Sequence, residues 1–89
     1  MIQQAAPIVL PDLGVEGGSA RVSAWLAEPG ENVLTGDRIV EVLLPGMTFD
    51  VAAPVSGTLQ CVSKPVDALV FAGDVLGLIA ASNEQEHEE

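Results

Sequence analysis

The chain has 89 residues, which is enough for one small domain and leaves no room for a second hydrophobic core. Its formal net charge of −10, from 13 acidic residues against three basic ones, disfavours binding to nucleic acid or to an anionic membrane surface, so we predict neither as a partner. The single cysteine, Cys61, excludes an internal disulfide, and because the sequence shows neither a signal-peptide pattern nor about 18 consecutive apolar residues, we expect a cytoplasmic protein.

Breakers and side-chain alternation predict an all-β domain. Pro-Gly and Gly-Asp pairs interrupt the chain at intervals that suit short strands and leave no helix of ordinary length. In the strand that begins near residue 20 we expect Val22, Ala24 and Leu26 on one face, with Trp25 on the opposite, outward face. We predict strands near 7–10, 20–26, 38–43, 48–52, 57–62 and 75–80, with shorter pairings near 32–34 and 69–71.

The sequence also repeats internally. A shift of 37 residues lays Ser19–Val42 onto Ser56–Ile79 without a gap, so that Gly36-Asp37 meets Gly73-Asp74. Two matched halves joined by residues 43–55 predict a pseudo-twofold β structure in which neither half can close its core alone. The repeat is too short for a solenoid, which needs three or more units.

From about Pro7 to Ala81 the chain resembles biotinyl/lipoyl domains, most closely the lipoyl type found in acyltransferase subunits of 2-oxo acid dehydrogenase complexes. The matching stretches are, in order, IVLPDLG, AWLAEPGENVLTGDRIVEV, APVSGTL and AGDVLGLI. The resemblance implies a flattened β-barrel, or barrel-sandwich hybrid, of two four-stranded antiparallel sheets, with a hairpin at one end and both termini at the other. We therefore predict a flexible lead at 1–6, the domain at 7–81 and an acidic disordered tail at 82–89.

The resemblance also places a prosthetic-group site at the tip of the hairpin, where the family carries lipoate or biotin on a lysine. When Glu41-Val42 and Ala53-Pro54 are used as anchors, the tip corresponds to residues 43–46 and the lysine position to Gly46. A glycine has no amine to form the amide bond. We expect no cofactor here, and we expect Pro45-Gly46 to form the centre of a type II turn.

The leading functional hypothesis is a lipoyl-like domain that lacks the acylation lysine and acts as a non-catalytic binding or structural module. Its partners would be proteins of a multienzyme complex, or further copies of itself. Leu43, Leu44 and Met47 are the candidate interaction residues, because an apolar cluster on an exposed hairpin suits docking. The competing interpretation is that Leu44 and Phe49 fold inward and leave only one or two apolar side chains exposed.

The alternative hypothesis is a swinging-arm carrier domain, of a 2-oxo acid dehydrogenase-type or biotin-dependent complex, with lipoate at a non-standard site. Lys64 is the only lysine in the chain and therefore its only candidate attachment residue, although an ordinary solvated surface lysine is the better explanation of it. We predict no enzyme and no catalytic or metal-binding residue, because the sequence shows no nucleophile–base pair, metal-ligand pattern or paired-carboxylate pocket. His87, between two glutamates in the tail, is not expected to bind a metal.

Overall fold

A computed structural model describes residues 4–14 and 20–82, and its regular elements there are all β-strands. The described residues form no helix long and apolar enough to cross a membrane. The strands are β1 (Ala5–Val9), β2 (Ala20–Trp25), β3 (Asn32–Val33), β4 (Arg38–Leu44), β5 (Met47–Ala52), β6 (Gly57–Val62), β7 (Leu69–Val70) and β8 (Val75–Ala81). Each predicted strand is present. The predicted lead at 1–6 was drawn too long, because β1 begins at Ala5, and most of the predicted tail, residues 83–89, lies outside the described residues.

The strands form two four-stranded antiparallel sheets, as predicted. Sheet A has the order β1-β8-β6-β3, and sheet B has the order β5-β4-β2-β7. The two sheets face each other as a flattened, unclosed barrel. The short strands are exchanged between the halves, because β3 of the first half pairs with β6 and β7 of the second half pairs with β2. Each sheet is therefore complete only when both halves are folded.

The internal repeat is visible in the strand register. Val22 pairs with Val42 in sheet B, and the residues 37 positions later, Leu59 and Ile79, pair with each other in sheet A. The register shift that follows Val22 recurs after Leu59. The sequence repeat is thus a pseudo-twofold repeat of the backbone.

The outermost long strands, β1 and β5, also correspond to each other, but with a different spacing. Ile8 pairs with Gly77 as Val51 pairs with Val40, so β1 and β5 are 43 residues apart. The difference arises because the connection from β1 to β2 runs from residue 10 to residue 19, whereas the connection from β5 to β6 has only residues 53–56. The pseudo-symmetry therefore relates all eight described strands.

The Gly-Asp pairs of the repeat close equivalent corners. Asp37 accepts a hydrogen bond on Oδ2 from the Leu34 N–H at 2.9 Å and donates its own N–H to the Leu34 carbonyl at 2.9 Å. Asp74 makes the same two bonds with Phe71, each also at 2.9 Å. In each half the carboxylate satisfies a backbone donor that the short preceding strand leaves unpaired.

The core lies between the sheets and consists of branched aliphatic side chains and alanine. Ile8, Leu59 and Ile79 of sheet A meet Val22 and Val42 of sheet B, and all five side chains are inaccessible to solvent. In the part of the chain that the structure describes, no polar or charged residue is buried. Small, branched side chains on strands are what the Val-rich composition predicted.

The predicted alternation of β2 is wrong at its end. A register shift between Val22 and Ala24 changes the phase, so that Leu26, predicted to face inward with Val22, is 50% exposed. Trp25, predicted to face outward, is half-buried against the core, and its indole Nε1 donates a hydrogen bond to the Lys64 carbonyl at 2.8 Å. A β-bulge inserts an extra residue and reverses the inward and outward pattern beyond it.

Gly77 lies where sheet A approaches this indole. Its counterpart in the first half is Val40, but a Cβ on Gly77 would lie 2.6 Å from the Cys61 carbonyl oxygen and 3.1 Å from Cη2 of Trp25. The first of these neighbours is backbone and cannot swing aside. The Cys61 backbone, with the Trp25 indole close behind it, therefore leaves no room for a side chain at residue 77.

Gly77→Ala should consequently lower the free energy of unfolding by about 1–3 kcal/mol, because the added methyl group overpacks a site bounded by backbone. Denaturant unfolding measures the change. Ala52→Val, which enlarges an exposed residue of β5, is the control and should change the midpoint little. An unchanged midpoint for Gly77→Ala would contradict the close approach of Trp25 and Cys61 to this strand.

Candidate functional site

The candidate site is the hairpin that joins β4 to β5. Leu44 pairs with Met47 and Leu43 pairs with Thr48, which leaves Pro45-Gly46 as a two-residue turn. Gly46 has a φ of 79°, the value that the third residue of a type II turn requires. The turn thus agrees with the prediction, since proline presets φ at its second position and glycine tolerates positive φ at its third.

Gly46 faces open solvent. A Cβ built on this residue meets no heavy atom within 4 Å. A side chain at this position would project freely from the end of the hairpin, where a mobile arm could reach a partner. Residues 41–53 contain no lysine, so no side-chain amine is available along the hairpin.

The three predicted interaction residues differ in exposure. Leu44 is only 5% exposed and belongs to the core, so it is not part of an interaction surface and its prediction as such was wrong. Leu43 is 47% exposed and Met47 is 56% exposed. Phe49 is half-buried against the core, as the competing interpretation required.

The two exposed side chains do not form one cluster. Residues paired across an antiparallel ladder share a face, so Met47 lies on the face of Leu44, whereas Leu43 and Thr48 lie on the opposite, outer face. Met47 is exposed because it stands at the end of the sheet, beyond the packed core. The predicted apolar cluster is thus divided between two surfaces.

The charged residues of β4 and β5 lie away from the turn, towards the other end of the two strands. Ser23 Oγ donates a hydrogen bond to Glu41 Oε1 at 2.7 Å, and Arg38 lies 3.2 Å from Asp50 Oδ2. Both pairs sit on the outer face of sheet B and are partly solvated, so they stabilise the sheet only slightly. Within residues 4–14 and 20–82, no three His, Cys, Asp or Glu side chains are grouped so that they could hold a metal.

Lys64 lies in the loop that follows β6. Its N–H donates to the Leu76 carbonyl at 3.1 Å, and its carbonyl accepts from the Trp25 indole at 2.8 Å. The side chain is half-buried. The only lysine is thus anchored by its backbone between two strands, and it is not carried on a hairpin turn.

The sequence-based prediction missed two exposed apolar side chains at equivalent positions of the repeat. Leu34 is 65% exposed and Phe71 is 57% exposed, more than either hairpin residue. Their alignment at a shift of 37 residues was a signal that could have identified them. Leu34 borders a groove of about 800 Å³ whose other lining residues are Thr35, Pro54, Val55, Ser56, Ala81 and Ser82.

Comparison of the sequence with known proteins gives one family model and several relatives that agree with one another. A family model described as "Biotin-requiring enzyme" matches residues 6–79. The chain is 32% identical over 72 residues to the dihydrolipoyllysine-residue succinyltransferase component of the 2-oxoglutarate dehydrogenase complex of Rickettsia conorii, across 81% of this chain and 18% of that protein. It is 31% identical over 78 residues to the dihydrolipoyllysine-residue acetyltransferase component of the pyruvate dehydrogenase complex of Mycobacterium bovis, across 88% of this chain and 14% of that protein.

The chain thus spans less than a fifth of the length of these curated relatives. A solved structure of similar size also matches. The lipoyl domain of the 2-oxoglutarate dehydrogenase complex of Azotobacter vinelandii superimposes with a TM-score of 0.62 at 25% identity, across 92% of this chain and 100% of that one. Because the family match covers nearly all the strands and a solved lipoyl domain shares their arrangement, this chain belongs to the biotinyl/lipoyl domain family.

Proposed function

We propose that this chain is a lipoyl-type domain that carries no prosthetic group on its hairpin and serves as a non-catalytic binding or structural module. The observation that carries the proposal is the turn Pro45-Gly46, which occupies the end of the β4–β5 hairpin without offering an amine. Attachment of lipoate or biotin requires an amide bond to a lysine Nζ. Thr48, the nearest hydroxyl on the hairpin, cannot form that bond.

The scaffold around the turn is intact, which supports loss of attachment rather than loss of the fold. The β4–β5 register runs from Leu44–Met47 down to Arg38–Ala52, and the strands keep their places in sheet B. The open space at Gly46 supports the proposal, because an attachment position requires room for a projecting side chain. The proposal therefore assigns the role of the domain to its exposed surfaces and not to a bound group.

The alternative carrier function, with lipoate on Lys64, is less well supported. A swinging arm works by moving a bound group between distant active sites, which favours an exposed and freely rotating attachment point. The backbone of Lys64 makes hydrogen bonds to Leu76 and Trp25 on either side, and its side chain is half-buried. A lipoyl arm there would start from a packed loop.

We expect the isolated protein to remain unmodified when it is produced together with an active lipoate ligase or an active biotin ligase and the corresponding free acid. Intact-protein mass spectrometry measures the outcome, and a lipoyl domain that has its lysine, produced in the same cells, verifies ligase activity. The addition of one lipoyl or biotinyl group would contradict the proposal. If Lys64→Arg then abolished that addition, the alternative carrier function would be established instead.

Restoring the amine should restore modification. Gly46→Lys places Nζ at the end of the hairpin, at the expense of about 1–2 kcal/mol of stability because a non-glycine residue must adopt positive φ. We expect detectable lipoylation of this variant in the same assay. Thr48→Lys, which places an amine two residues away on the outer face of β5, is the matched control and should stay unmodified. Modification of Thr48→Lys and not of Gly46→Lys would show that Gly46 is not the family's attachment position.

We further propose that the exposed Met47 contributes to docking on a 2-oxo acid dehydrogenase-type complex, since the relatives named above are components of such complexes. Met47→Ser should weaken binding to the purified complex several-fold, as judged by titration calorimetry, because it removes an exposed apolar contact. Leu26→Ser, at a site 50% exposed in the loop after β2, is the control. Equal affinities for wild type and Met47→Ser would contradict this surface.

A further inference from the structure

Strand β5 forms one edge of sheet B. Among the described residues it pairs with β4 alone. Met47 is the first residue after the two-residue turn, so its N–H faces β4, and alternation along the strand directs the N–H and C=O groups of Thr48 and Asp50 away from the sheet. No loop of the described ranges makes a backbone hydrogen bond to either residue. The edge of β5 therefore offers a row of backbone donors and acceptors to an added strand.

The equivalent edge of sheet A is protected by a proline. Ile8 of β1 corresponds to Val51 of β5, so Pro7 corresponds to Asp50. Proline has no N–H, and its ring occupies the space through which an added strand would approach, which is one of the ways in which edge strands are protected. Of the two outermost long strands, only β5 keeps an outward backbone donor at this position.

The two faces of β5 would select different side chains in an added strand. Met47 and Phe49 lie on the inner face, where Met47 is 56% exposed and Phe49 is half-buried against the core. Thr48 and Asp50 lie on the outer face. Residues directly opposite each other in a ladder share a face. Apolar side chains opposite Met47 and Phe49 would therefore cover exposed apolar surface, whereas those opposite Thr48 and Asp50 would stand beside a carboxylate.

The charges of the outer face favour a basic side chain opposite Asp50. Arg38 of β4 lies 3.2 Å from the Asp50 carboxylate, but the Asp50 side chain remains 28% exposed, and Glu41 stands opposite it in the ladder. The chain as a whole has a net charge of −10, which attracts basic partners. On sheet A, Val75 and Leu78 replace Arg38 and Glu41, so the edge of β1 offers no equivalent charge.

We propose that β5 accepts an extended, basic segment of a partner protein as a fifth strand of sheet B. The added strand is antiparallel, as are all the pairs among the described strands. Its apolar residues cover Met47 and Phe49, and its lysine or arginine residues lie beside Asp50. Backbone hydrogen bonds supply the affinity of such strand addition, and the alternating side chains supply its specificity.

This inference rests on the proposed function in one respect, namely that the domain acts by binding, and it gives the Met47 surface a partner of defined chemistry. It does not depend on whether the hairpin turn carries a prosthetic group. The mass measurements described above test attachment, and the titrations described below test strand addition, so the two proposals can fail separately.

A second copy of this chain is the competing occupant of the edge. Antiparallel pairing of β5 with β5 would bring the Asp50 carboxylates of both copies onto one face of the joined sheet. Like charges on neighbouring strands destabilise the pairing, and a charged side chain on an edge strand is a common protection against self-association. A basic segment has no such repulsion to overcome.

Titration calorimetry with synthetic octapeptides tests the proposal. A peptide of alternating valine and lysine, blocked at both ends, should bind the wild-type chain saturably and one to one. In antiparallel pairing the lysine N–H groups face β5 and the valine N–H groups face solvent. N-methylation of the lysines should therefore weaken binding about tenfold or more, because it removes the donors to β5. N-methylation of the valines is the control with the same charge, and it should leave the affinity unchanged.

Two variants of one residue separate the backbone donor from the charge. Asp50→Pro copies Pro7 onto β5 and should abolish binding of the unmethylated peptide, whereas Asp50→Asn keeps the N–H and should weaken binding about fivefold or less. Unfolding midpoints verify that both variants fold.

Absence of saturable binding to wild type, or equal affinities of the two methylated peptides, would overturn the proposal. Equal binding of a peptide with glutamate in place of lysine would overturn the choice of a basic segment. A wild-type chain that is dimeric without peptide, together with a monomeric Asp50→Pro variant, would assign the edge to a second copy instead.

Discussion

The exchange of β3 and β7 between the two halves is the constraint on which the rest of the structure depends. Each two-residue strand completes the sheet of the other half, and the loop before it is held by the same bond in both halves. The Gly30 N–H donates to Leu59 and the Asp67 N–H donates to Val22, each at 2.8 Å. Gly30 and Asp67 both adopt positive φ, at 95° and 79°, although only one is a glycine. The equivalent loops thus share a left-handed conformation, which is uncommon for non-glycine residues and which aspartate tolerates better than most.

Because the exchanged strands and the core hold the domain together, its stability does not depend on which residue occupies the hairpin turn. The buried core involves both sheets along their length, whereas Pro45-Gly46 lies beyond the last pair of the β4–β5 ladder. A turn needs only to reverse the chain, and proline followed by glycine does so with little strain. The residue that would carry a prosthetic group can therefore be absent while the register, the core and the approach to the turn remain those of a biotinyl/lipoyl domain.

The sequence was sufficient for the strands, because branched residues alternate between strong breakers and the repeat supplies each element twice. The sequence was insufficient where one extra residue in a strand changes which side chains face inward and which face outward. The register shift after Val22 exposes Leu26 and turns Trp25 towards the core, and no local pattern indicates such a shift. The hairpin was misjudged for a related reason: Leu43 and Leu44 are adjacent in sequence, but neighbouring residues of a strand point to opposite faces.

The uncharged outer face of sheet A could be identified only from the sequence and the strand register together. Its strands lack charge in the sequence, but only the register shows that Val75, Leu78 and Pro7 share one outer face and correspond to the charged positions of sheet B. The hairpin of sheet B and the uncharged outer face of sheet A are thus two separate surfaces on one scaffold.

The central claim is that this domain works without a prosthetic group, and its most direct test is the intact mass of the protein isolated from the cells that produce it naturally. Ligases, cofactor and any processing are then those of the protein's own environment. We expect these 89 residues to have the mass of the unmodified polypeptide and Lys64 to be recovered as a free lysine in peptide mapping. A lipoyl or biotinyl group on Lys64 in a substantial fraction of the molecules would contradict it.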